Sequence, residues 1–451
     1  MRITNYHVQT NPWLLFMLGV FSLTEIRIVG SIAISELIIF IVAPFIFLKD
    51  ISHLRRDGFM TLILLSFAVM LSNVISCMIN HVQIDFALRG IAANYSIFAI
   101  PVVMHYLLRR NLNGVKWVLL GMAVSSFLTI FIFQKATDIG AALRTGESVT
   151  DTILANDYLW NARIAGWLKT PINAFYFQTP TFYNVLLPLL FSLYFLCVSA
   201  SGRAAALTLL FGSILIFIGQ KRRSRMSVIG KNFGKMVFIG IIVLFALKTG
   251  YVYAVRSGML GDKALKKFEL QTGGNDSAKA IIMGGRTDFF MGVAAAIRKP
   301  LFGYGPWPID KEGIAEDFLH KHGSYQEIVN YENIKKMASK NGMLGYRWIP
   351  THSHLIGFWV WYGLAGLVFW IYVLWLIFKV VKIGLSAIPQ WYGYFALTIP
   401  SFLWAIFFSP YSGRIGTMTF VVCLLFAKAV AEKKLMLPYE MEVEALRHDS
   451  R

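Results

Sequence analysis

The sequence predicts an all-α polytopic membrane protein, with about twelve transmembrane helices and a large external loop between the ninth and tenth. Three observations carry that expectation. Hydrophobic residues make up 56% of the 451 residues and charged residues only 15%, and mean hydropathy is +0.58. Apolar runs of roughly 18 residues or more, long enough for a helix to cross hydrocarbon, recur along most of the chain. The 43 Lys and Arg residues, against 24 Asp and Glu, are parcelled out between those runs. The formal charge of +19 therefore reads as a positive-inside bias with contacts to anionic lipid or lipid-linked phosphate, and argues against a nucleic-acid partner.

The N-terminal block, 1–133, holds helices one to five. Its first spans are expected at about 13 to 29 and 31 to 48, with Glu25, Arg27 and Glu36 as an ion-pair cluster at their shared outer end. Lys49, Arg55 and Arg56 mark an inner loop. The next spans fall at about 59 to 78, 88 to 107 and 115 to 133, with Arg89 opening the fourth from outside and Arg109, Arg110 and Lys116 inside. Residues 134–180 form a first external loop, and 181–254 hold helices six to nine. Within that block, Arg225 opens a short eighth span, which gives the later loops a consistent orientation. The large loop is 255–350, helices ten to twelve occupy 351–430, and 431–451 is an inner tail. Spans ten to twelve are placed at about 355 to 378, 391 to 408 and 414 to 429. Trp359, Trp361 and Tyr362 form an outer aromatic belt, and Gly363 with Gly366 allow another helix to approach closely. Cys77, Cys197 and Cys423 lie in apolar runs with no metal or disulfide spacing.

The chemistry concentrates between Gly284 and Gly366. Arg286 precedes a short amphipathic helix with Phe289, Phe290, Val293 and Ile297 on one side, ended by Lys299 and Pro300. Pro350 and Thr351 supply start signals for a second helix, placing His352 and His354 in its first turn, just outside the hydrocarbon. A helix start disfavours imidazolium, so a histidine there is neutral and free to accept a proton. Arg222, Arg223, Arg225 and Arg286, with Arg89 and Arg414 nearby, would bind a strongly anionic group at the outer boundary, because guanidinium forks match phosphate oxygens. A diphosphate is the obvious such group. Together these features point to displacement at a sugar carbon, with a polyprenyl diphosphate leaving and a histidine taking the acceptor proton. No Asp-x-Asp motif is present, so the reaction is expected to run without metal or other cofactor. Walker, dinucleotide and HExxH motifs are also absent, which disfavours ATP hydrolysis, redox chemistry and zinc proteolysis.

At these residues the chain resembles the O-antigen ligase and polymerase superfamily of bacterial envelope glycosyltransferases. Three blocks carry the resemblance: Ser224-Arg225 opening a helix; Arg286 through Pro300, Gly303 and Gly305; and His352 followed eleven positions later by Gly363, then Gly366. The resemblance implies a glycosyltransferase of the C type in the bacterial inner membrane, with its catalytic loop in the periplasm. Its donor would be an undecaprenyl-diphosphate-linked oligosaccharide and its acceptor a glycan or lipid, with membrane lipids and polysaccharide assembly proteins as partners. Arg225 and Arg286 would hold the diphosphate and His352 would be the base. Ser353 stands where the family has asparagine, which leaves His354 as a rival base. The reaction expected is polymerisation of O-antigen or exopolysaccharide repeat units; ligation to lipid A core or protein, and flipping of a lipid-linked oligosaccharide, are the alternatives.

Overall fold

The computed structural model describes residues 11–22, 25–27, 31–128, 203–221, 252–259, 287–322, 353–383, 391–409 and 413–433, with a few isolated positions between them. These residues are mostly helical. In chain order the elements are α1 (Pro12–Val20), β1 (Glu25–Arg27), β2 (Ser31–Ala33), α2 (Ile34–Arg56), α3 (Met60–Ile79), α4 (Ile84–Leu108), α5 (Val115–Phe127), α6 (Arg203–Lys221), α7 (Thr287–Arg298), α8 (Ile314–His322), α9 (His354–Ile383), α10 (Tyr392–Phe408) and α11 (Arg414–Ala431). Among the described residues α3, α4, α9 and α11 are long and apolar enough to cross a membrane. The core is shared by α1 to α6 and α9 to α11, while rows such as Leu64, Phe67, Leu71 and Met78 on α3 remain exposed. An outward apolar row suits a surface solvated by lipid.

Two proline breaks in these helices are matched by a hydroxyl from a neighbour. Pro44 in α2 has no N–H, which frees the carbonyl of Phe40 one turn earlier, and the Tyr95 hydroxyl of α4 donates to it at 3.1 Å. Pro101 in α4 frees the carbonyl of Ile97 in the same way, and Ser66 of α3 donates to it at 3.0 Å. In hydrocarbon an unpaired backbone carbonyl has no water to turn to, so these hydroxyls are what make the prolines tolerable.

The largest break is in α9. Gly363 adopts φ 61° and ψ −148°, a left-handed conformation that interrupts the helix. The two arms fold against each other: the rings of His354 and Trp370 lie 4.8 Å apart and those of Phe358 and Phe369 6.1 Å apart. Sixteen residues of straight helix would separate His354 from Trp370 by about 24 Å. The expected straight tenth span is therefore a helical hairpin. A first arm, 354–362, ends in three carbonyls with no helical partner. Val360 accepts from the Tyr304 N–H at 2.7 Å, Trp361 from the Gly305 N–H at 3.0 Å, and Tyr362 from the Ser72 hydroxyl at 2.6 Å. On the second arm the Leu364 N–H donates to the Leu301 carbonyl at 3.0 Å. The segment 301–305 is thus laced to the break by backbone bonds. Gly363 allows this approach because a Cβ there would sit 2.0 Å from the Leu301 oxygen.

One end of the bundle is held by charge. The buried His105 of α4 lies with Nε2 2.9 Å from Asp57 Oδ2 and Nδ1 3.1 Å from Asp50 Oδ2, and Arg109 Nε is 3.1 Å from Asp57. Phe59 packs edge-on against the imidazole at 4.5 Å and Phe426 of α11 stacks on it at 5.5 Å. This is the basic end, where Arg55, Arg56, Arg109, Arg110, Lys428 and Lys433 collect at helix ends. Burial pushes the Asp57 carboxyl up, but the hydrogen bond from His105 and the charges of His105 and Arg109 outweigh it and hold it below the ordinary carboxylate range.

Several expectations are corrected. The first span is only the short α1, followed by an antiparallel pairing of Glu25 with Ala33 and Arg27 with Ser31, because polar and β-branched residues alternate there. Lys49, Arg55 and Arg56 lie within α2, which continues to Arg56. Arg89 does not open α4 but lies in its second turn. On α7 the expected face holds in part: Phe289 and Val293 pack against the buried Ala295 and Ala296 cluster, while Ile297 is 62% exposed. Gly363 and Gly366 admit a loop and the helix's own first arm, not a second helix.

Two measurements check this architecture. Gly363→Ala combines left-handed strain with a backbone collision, so it should destabilise the purified protein by about 3 kcal/mol or more. Gly313→Ala, also at positive φ (67°) but with open space around it, should cost only about 1 kcal/mol. Equal losses in denaturant titrations would refute the lacing. Asp57→Asn should cost about 3–5 kcal/mol at neutral pH. Because the folded carboxyl titrates below its unfolded value, that stabilisation is present above about pH 4 and lost as pH falls further. The gap between variant and wild type should close in acid and stay constant toward alkaline pH.

Candidate functional site

Arg222, Arg223, Arg225, Arg286 and His352 lie outside the described residues. Arg89 and His354 are described, in different settings. Arg89 sits at the end of α4 opposite the basic end, its guanidinium 5.6 Å from the Phe86 ring, and its buried Nε has no hydrogen-bond partner among the described residues. Phe86 begins an aromatic row that continues through Trp307, stacked at 6.3 Å, to Trp361, 4.8 Å further on. Trp307 holds a left-handed φ of 49°, uncommon for so bulky a residue. Of the expected aromatic belt, Tyr362 is buried and Trp359 donates its Nε1 to the Pro300 carbonyl at 3.2 Å, so these rings receive the 298–308 segment.

His354 is not at the surface. Ser353, rather than Pro350 or Thr351, starts the helix: its hydroxyl accepts from the Ile356 N–H at 3.0 Å and donates to the Ile406 carbonyl at 2.8 Å. The following His354 is 3% exposed and ringed by Trp370, Tyr411 and Phe402 at 4.8, 5.5 and 6.4 Å. Such enclosure suits packing better than exchange of a proton with an incoming hydroxyl.

The elements that follow two of the candidate residues meet at the same place. The chain after Arg286 forms α7, and Phe289 in its first turn contacts Phe408 at the end of α10, ring centroids 5.9 Å apart. The chain after His352 is fastened through Ser353 to Ile406, two residues earlier on α10. Ala295 and Ala296 of α7, Tyr304, Ile349 and the α9 residues Ile356 and Val360 then form a second buried cluster. Beyond α7, Lys299 reaches Asn80 of α3 at 3.1 Å and Glu312 at 3.2 Å. Asn80 in turn donates to the Gly303 carbonyl at 3.0 Å. Burial and the Glu312 carboxylate push the Tyr304 hydroxyl above its ordinary value, which keeps it a donor to Glu312.

Of the expected cluster of Glu36 with Glu25 and Arg27, the side chains of Glu25 and Arg27 lie outside the described residues, and Glu36 has a partner from elsewhere in the chain. Glu36 is buried and receives Arg414 in a forked contact, Nε to Oε1 and Nη2 to Oε2 both at 2.8 Å. Arg414 is thus engaged by a carboxylate, whereas the sequence had grouped it with arginines awaiting an anion. Near this pair lies Tyr411, whose hydroxyl is 3.4 Å from that of Ser96; Asn73, Asn94 and Tyr362 are further buried polar side chains of the bundle. Sequence reasoning missed this polar layer. Its one legible signal was ionisable residues set beside apolar runs, which mark function or pairing.

No protein-family model matches this chain, and no curated protein matches it.

The ion pair has a direct test. Glu36→Gln or Arg414→Gln alone should each destabilise by about 3–5 kcal/mol, because each strands a partly buried charge. Pairing Glu36→Leu with Arg414→Leu should cost clearly less than the sum of the single changes in a double-mutant cycle, whereas additive losses would show that the two side chains act independently.

Proposed function

We propose that this protein is an inverting, metal-independent glycosyltransferase of the bacterial inner membrane, which polymerises O-antigen or exopolysaccharide repeat units on the periplasmic side. One observation supports the reading above others: Phe289, three residues after Arg286, and Ser353, immediately after His352, both touch the last turn of α10. Chain segments remote in sequence are thereby tied to one spot, the last turn of α10. That is the arrangement a diphosphate-binding arginine and a base must share.

In this reading the acceptor hydroxyl attacks the anomeric carbon of the lipid-linked glycan. The carbon–oxygen bond to the diphosphate breaks, and the acceptor proton passes to His352. Arg225 and Arg286, with Arg222, Arg223 and Arg89 at the same boundary, stabilise the charge growing on the departing undecaprenyl diphosphate. A single in-line attack inverts the anomeric centre. His354, enclosed by rings, supports the fold of the hairpin and not the proton transfer.

Purified protein supplied with a lipid-linked repeat unit should extend it with chelator present. His352→Ala should lower the turnover by about 100-fold or more, as loss of a general base does. His354→Ala should act chiefly on stability. Loss of activity on chelation, or full activity in His352→Ala, would sink the assignment. In cells, deletion separates polymerase from ligase: single lipid-linked repeats accumulate if a polymerase is lost, and full-length lipid-linked polymer beside bare acceptor if a ligase is lost.

A further inference from the structure

An exposed apolar row meets two lysines at the basic end, far from the chemistry proposed above and independent of it. On the second arm of α9, Leu364, Val368, Ile371, Trp375 and Phe378 form a continuous exposed apolar row, each at least 39% exposed. Spacings of three and four residues put them on one face of the helix. The row runs into Lys379 and the exposed Lys382 at the helix end. Trp375 is where it changes character. The ammonium of Lys379 stands 5.3 Å from the Trp375 ring, and that of Lys428, on the neighbouring α11, 5.5 Å from the same ring. Tyr372 stacks against Trp375 at 5.5 Å.

We propose that Trp375, Lys379 and Lys428 form a binding site for the phosphate headgroup of an anionic membrane phospholipid, whose acyl chains lie along the row from Leu364 to Phe378. Two cations converging on one indole from different helices repel each other. A phosphate between them removes that repulsion and accepts hydrogen bonds from both. Glu432, 3.6 Å from Lys428, offsets one of the two charges, and Lys379 makes no ion pair among the described residues. The half-exposed indole, apolar on one side and polar at its edge, belongs at the boundary between acyl chain and headgroup. A soluble phosphate would find the cations but have no use for the apolar row, which is why a lipid is the occupant. Basic clusters between helices at this end of a bundle are suited to such headgroups.

The test uses the full chain in detergent, titrated with phosphatidylglycerol, with phosphatidylcholine, and with inorganic phosphate, reading both thermal midpoint and lipid retained in native mass spectrometry. Phosphatidylglycerol should be retained and raise the midpoint; the other two should do neither. Each lysine near an anionic headgroup contributes about a fivefold change in affinity, so Lys379→Gln should weaken retention about fivefold and Lys379→Gln with Lys428→Gln about 25-fold. Lys311→Gln with Lys321→Gln, on the opposite end, should leave it unchanged. Lys379→Gln alone keeps the test decisive if the double variant fails to fold. Equal retention of phosphatidylcholine, equal stabilisation by inorganic phosphate, or a Lys379→Gln protein that binds as wild type does would each overturn the proposal.

Discussion

A helix inside hydrocarbon must find a partner for every backbone polar group, and at three breaks in this chain a neighbour supplies it. Tyr95 covers the carbonyl that Pro44 releases, and Ser66 the one that Pro101 releases. At Gly363 the debt is larger, three carbonyls and an N–H, and one hydroxyl cannot settle it. A whole segment, 301–305, is brought in, with Ser72 completing the set. This requirement explains why the 301–305 segment is attached so specifically to the bundle. It also explains why α7, which leads into that segment, has so little freedom in where it docks.

The two ends of the bundle are consequently built by different means. At the basic end, ionic and aromatic contacts around His105 join the α2–α3 turn, α4 and α11. At the other end, backbone bonds and short polar side chains such as Asn80 and Ser76 do the joining. Between them lies the layer of Glu36, Arg414, Ser96 and Tyr411, where charge is admitted only as a matched pair. Backbone lacing fixes position without using side-chain chemistry. Side chains near the lacing, Arg89 and Trp307 among them, are therefore left available for other work.

Much of the scaffold was legible in the sequence. The helices α3, α10 and α11 fall within two residues of their expected bounds, because each is an apolar run bounded by charge, Gly or Pro. The end of α7 was legible for the same reason, since Lys299-Pro300 cannot continue a helix. The break at Gly363 was not. A glycine in an otherwise apolar run leaves hydropathy unchanged, and its left-handed turn is dictated by Leu301, more than sixty positions earlier. The pairing of Glu36 with Arg414 was not legible for a related reason: the two are separated by 378 positions, and nothing local announces it. Ser353 was overlooked because Pro350 and Thr351 offered an equally good local start, and only the acceptor at Ile406 distinguishes them. For the candidate site, residue types were legible and their meeting point was not, because it depends on where the end of α10 falls.

The folded-back form of α9 changes what this stretch of chain does inside a bilayer. Its first arm is about 14 Å long, roughly half the hydrocarbon thickness, and it climbs back toward the face from which the second arm then departs. To any device that merely registers crossings, such as a reporter fused beyond Ile383, a plain rod and this doubled wedge are the same object. The wedge nonetheless carries a helix beginning, with its partial positive charge, to mid-depth, where a rod would present only its flank.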